Sequence, residues 1–110
     1  MKLQFLSITL VAVSANSVLA DPITDALAGK TLRAPGQEIT AHADGRLTGK
    51  VGANLGTELV GTWEIKNGRW CRTLTQPEAA AGSACQDLAM GDGIVTIEGS
   101  RGPVEFTISQ

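Results

Sequence analysis

Tyrosine is absent from these 110 residues, histidine occurs once, and cysteine, tryptophan and phenylalanine occur twice each. Each shortage removes a class of chemistry. One histidine (His42) and two cysteines expected to be oxidised cannot supply the three or four ligands of a zinc site. No metal and no cofactor is therefore expected. Cationic side chains are not in excess: nine Lys and Arg stand against eleven Asp and Glu, for a formal charge of -2. They form no basic stripe, which argues against a nucleic-acid surface. No segment approaches the roughly 20 apolar residues that a membrane-crossing helix needs.

What is present at the N-terminus is a leader pattern. Lys2 supplies a short positive region, and Leu3 to Val13 run apolar without a charge. Val18-Leu19-Ala20 then offers the small or modest side chains that signal peptidase requires. Residues 1–20 are read as a secretory signal peptide and residues 21–110 as one small exported domain. Asp21, not Cys, follows the cleavage site, so no lipid acceptor is expected there. A mature chain this short holds a single domain with a modest core.

Asp21 is a good N-cap and Pro22 suits the first helical position. With Ile23, Ala26 and Leu27 on one face, a short helix ending at Gly29 is expected. Beyond it the chain alternates between turn residues and segments rich in Val, Ile, Thr and Trp. Glu38 to Ala43 and Arg46 to Gly52 read as strands about an Asp44-Gly45 hairpin turn. Thr57 to Lys66 puts Leu59, Gly61, Trp63 and Ile65 on one face, with Val60 the exception on the other. Asn67-Gly68 is the strongest type I′ turn signal in the chain. It sets Ile65 opposite Trp70, Trp63 opposite Arg72, and Gly61 opposite Leu74.

After the loop 77–83, Ala84 to Met90, Ile94 to Glu98 and Val104 to Ile108 complete about seven antiparallel strands. The expected fold is all-β with one short N-terminal helix, an antiparallel meander forming a small barrel or a strongly curved sheet. The same register puts Cys71 across from Glu64, on the face opposite the main apolar set, and Cys85 shares that face in the next strand. One Cys71–Cys85 disulfide is therefore expected, as suits an oxidising compartment.

The run Gly61-Thr62-Trp63-Glu64-Ile65, then Gly68-Arg69-Trp70-Cys71 and Cys85, resembles an uncharacterised class of small secreted bacterial β-rich proteins. The resemblance covers about the central third of the mature chain and implies an exported β-domain. It brings no activity and no functional residue. In size, export and single bridge the chain is also similar to small periplasmic β-barrel inhibitors of proteases or lysozymes. Periplasmic or secreted localisation follows from the leader.

The candidate chemistry is sparse. His42 faces away from Ile39 and Ala41 and reads as a surface histidine. No G-x-S-x-G elbow accompanies it. Glu58 with Glu64, and Glu98 with Glu105, share outer faces where solvation is the ordinary outcome. Arg72 is different, because its register places it on the face of Trp63 and Trp70. There it either snorkels over the core edge or forms, with an exposed indole, a recognition patch. The ligand-binding candidates are thus Arg72, Trp63 and Trp70, with no catalytic residue assigned. A non-enzymatic binding module, inhibitor-like toward an envelope or secreted protein, ranks first. A structural envelope component ranks second, and a small hydrolase using His42 third.

Overall fold

The computed structural model describes residues 21–110; segment 1–20, read from the sequence as a signal peptide, lies outside the described residues. Helix α1 spans Pro22–Leu27. Asp21 Oδ1 accepts hydrogen bonds from the Ile23 and Thr24 amides at 2.9 and 3.3 Å. This is the expected N-cap, with Pro22 where no amide is needed. Six residues are too few to hold a helix in water alone. Packing holds this one: Leu27 is fully buried and Ile23 lies against the same core. At Gly29 the backbone turns left-handed (φ 79°), and its amide donates to the Ala41 carbonyl at 2.6 Å.

Eight strands follow: β1 (Lys30–Ala34), β2 (Gln37–Ala41), β3 (Arg46–Val51), β4 (Thr57–Lys66), β5 (Arg69–Gln76), β6 (Gly82–Met90), β7 (Ile94–Gly99) and β8 (Gly102–Ser109). Each pairs antiparallel with the next, and β1 pairs with β8, so the meander closes into a barrel. The strand missing from the sequence reading is β1. Its alternation rests on a single large apolar residue, Leu32, flanked by Lys30 and Arg33. In the barrel Leu32 is fully buried and the strand supplies the closing seam.

The central hairpin has the register its turn dictates. Ile65 opposes Trp70, Glu64 opposes Cys71, Trp63 opposes Arg72 and Gly61 opposes Leu74. Asn67 and Gly68 take positive φ of 55° and 74°, the type I′ signature. A register shift falls between Val60 and Gly61, and Val60 turns out to solvent. At Gly61 the strands approach too closely for a side chain. A Cβ there would collide with the Thr73 carbonyl oxygen and lie 2.9 Å from Leu74 Cα. Gly49, one strand over, would set a Cβ 2.5 Å from the Glu38 carbonyl oxygen. Small barrels need such tight bends to coil their sheet.

The turn before β3 is wider than the expected two residues. The His42 amide still donates to the Arg46 carbonyl, but the His42 carbonyl accepts from both the Gly45 amide and the Trp63 indole. That indole bond, 2.8 Å long, satisfies the polar edge of an otherwise buried ring.

Inward side chains from all around the barrel make one core, including Leu32, Leu47, Trp63, Trp70, Val95 and Phe106. The two indoles stack with centroids 5.5 Å apart and planes 19° from parallel. Cys71 and Cys85 face each other directly across β5 and β6 and are bonded, with Cα atoms 4.0 Å apart. Helix α1 lies against β1 and β4 and covers the end of the barrel where β1 begins and β2 ends.

Candidate ligand pocket at the open end of the barrel

The end opposite α1 is not filled. Alternation along β5 sends Trp70, Arg72 and Leu74 inward, with Cys71 and Thr73 outward. Arg72 therefore enters the barrel from the middle of a central strand. Its flanking partners are Trp63 on β4 and Ala84 on β6. The small Ala84 leaves room beside it for a long side chain.

Strand β6 is paired with β7 only over Leu88–Met90, against Ile97, Thr96 and Val95. Among the described residues, its first part, Gly82 to Asp87, is paired with β5 alone. The barrel wall thus splays between β6 and β7 toward the open end. Gln86 spans the gap with its side chain. Its Nε2 donates to the Glu98 carbonyl at 2.7 Å, and its Oε1 accepts from Arg72 Nε at 3.2 Å. A side-chain amide thus links the two strands where the backbone ladder has opened, and it also orients the guanidinium.

Behind this opening lies a cavity of about 190 Å³. Leu59, Trp70, Leu74, Ile97, Val104 and Phe106 form much of its wall. Its polar side chains are Gln37, Arg72 and Gln86, and its lining contains neither Asp nor Glu. Among the described residues, ion pairs join Arg33 to Glu38, Arg46 to Asp44 and Arg69 to Asp87, and none involves Arg72. Its one protein hydrogen bond is made through Nε, so both terminal nitrogens keep their donors free among the described residues.

The three sequence-derived binding residues are thus adjacent, but they present a different surface from the one expected. Trp63 and Trp70 are only 6% and 3% exposed, so neither is the exposed indole that the sequence reading placed beside Arg72. The neighbour of Arg72 in the pocket wall is Trp70. Gln86 and Gln37 were not singled out from sequence. For Gln86 the signal was there: it alternates in phase with Leu88, and an inward glutamine beside an inward arginine marks a polar site within a core.

A second hollow, of about 650 Å³, lies on the outer face over β4, β5 and β6, beside the Asp44–Arg46 turn. It is shallow and wide, with Glu64, Lys66 and Arg46 of mixed charge around the disulfide. The exposed Asp44 carboxyl there is held below the usual aspartate range, first by the Arg46 side chain and then by the Arg46 amide, both hydrogen-bonded to it. His42 is half-buried, with Nε2 2.7 Å from the Thr48 hydroxyl. Glu58, Glu64, Glu98 and Glu105 are all exposed.

Comparison with family models, curated proteins and solved structures found no match, so the reading of this pocket rests on its own geometry.

Proposed function

We propose that this chain is an exported, non-enzymatic binding module of the bacterial envelope or secretome, and that it takes its ligand at the open end of the barrel. One observation carries the reading: a guanidinium with free donors stands in a mostly apolar cavity, held by Gln86. Ligand sites are typically apolar hollows with a few convergent polar groups. The cavity has that composition, on a rigid closed sheet. The leader pattern and a disulfide suited to an oxidising compartment support export.

Trp70 in the cavity wall gives a direct readout. The oxidised exported chain is titrated with the low-molecular-weight fraction of host envelope and medium while indole fluorescence is followed. A saturable change that disappears in Val104→Phe, which fills the cavity and leaves Arg72 in place, is the expected result. The second reading is an inhibitor-like contact with a protein seated in the outer hollow, and the size of that hollow favours it. In that case the protein fraction binds, Val104→Phe binds equally well, and Glu64 and Lys66 substitutions weaken binding.

A further inference from the structure

We infer that the ligand of the barrel cavity is a small apolar carboxylic acid, bound with its carboxylate on Arg72 and its hydrocarbon part in the lumen. The inference rests on the open end being the binding site and adds the chemistry that would be recognised there. The charge comes first. A guanidinium drawn into an apolar hollow loses hydration that only an anion or several acceptors can replace. Among the described residues its one hydrogen-bond acceptor is neutral, Gln86 Oε1, and the cavity lining holds no carboxylate. Nε is occupied by that bond, so the two terminal nitrogens remain as the donor pair. Two parallel donors on a planar fork match the two oxygens of a carboxylate.

The wall supplies the second half of the specificity. Leu59, Leu74, Ile97, Val104 and Phe106 line the volume next to the guanidinium. They would reject a strongly hydrated inorganic anion and favour an alkyl or aryl group. Size sets the third limit. An apolar cavity of about 150 Å³ takes benzene, so about 190 Å³ suits an acid on the order of ten non-hydrogen atoms, its carboxylate at the mouth. A long-chain lipid does not fit. Gln86 then has two roles: it holds the guanidinium through Nε and closes the gap to β7 through its amide nitrogen.

The test uses the oxidised exported chain and defined probes. Octanoate and phenylacetate are titrated by calorimetry and by indole fluorescence, beside octanamide, phenylacetamide and inorganic phosphate. Both acids should bind, each on the order of 10- to 100-fold more tightly than its amide, since charge-assisted hydrogen bonds are lost in the neutral probe. Phosphate should not bind. Arg72→Met should remove the preference for acid over amide while retaining a weak response to both. Arg72→Lys should restore it in part, because it keeps the charge without the fork. Circular dichroism of each variant checks that the barrel is intact.

Equal binding of acids and amides would overturn the carboxylate assignment and leave the open-end pocket standing. Phosphate binding as well as octanoate would overturn the apolar half of it. No response to any probe, together with a saturable and Val104→Phe-sensitive response to the host extract, would likewise reject this ligand class and keep the pocket. Silence in both experiments would reject the pocket as well.

Discussion

Gly61 shows how much of this fold hangs on single positions. With strand β5 pressed against it, even a methyl group meets the Thr73 backbone. Gly61→Ala should cost more than about 2 kcal/mol, the scale of overpacking where backbone must move. Urea unfolding of the variant would register it as a lower midpoint with an unchanged slope. Asp44 makes a gentler point. Its hydrogen bonds to Arg46 stabilise the ionised form, so its folded pKa lies below the unfolded one. What they contribute is present above the ordinary aspartate pKa and is lost as pH falls through the lowered folded value. Carbon-detected NMR should find Asp44 titrating at lower pH than a free aspartate, and Arg46→Ala should raise it only part of the way back, because the amide of residue 46 still donates to the carboxylate.

At the scale of elements, the hairpin β4–β5 was legible in the sequence from its turn out to Gly61, though not the register shift beyond it. A two-residue turn fixes register, and register fixes every facing pair. The cross-strand cysteines followed from it, as did the placement of Arg72 beside the tryptophans. Strand β1 was not legible, because one leucine between charged residues carries too little pattern. The pocket was half-legible: alternation gives the direction of Arg72, while the splay of β6 from β7, which makes the space, comes from how many residues each strand pairs. Helix α1 was legible from its cap. Its importance lies in tertiary packing, through Leu27. Leu27→Ala should destabilise by about 2–5 kcal/mol, whereas Asp21→Ala should cost about 1 kcal/mol. Thermal melts of the two variants should differ accordingly.

For the molecule as a whole, the Cys71–Cys85 bridge links neighbouring strands on the outer face, away from the cavity. Closing a loop of this size contributes about 3 kcal/mol in the chain-entropy model. For a domain of this length, reduction should lower the melting temperature by roughly 12–24 °C. Calorimetry with and without reductant checks this. Because the bridge sits outside the lumen, ligand affinity measured well below the melting temperature should change little on reduction.

The β1–β8 seam has a consequence for how the chain reaches this state. Every other strand pairing joins sequence neighbours and can form as a local hairpin, but Thr31 meets Ser109 only when nearly the whole described chain has been brought together. The entropy of closing that long loop is spent before the three seam pairs return anything. Folding should therefore run through an open, curved sheet, with ring closure late, after the rate-limiting step. Substitutions in the seam, such as Ile108→Val, should speed unfolding and scarcely change the refolding rate.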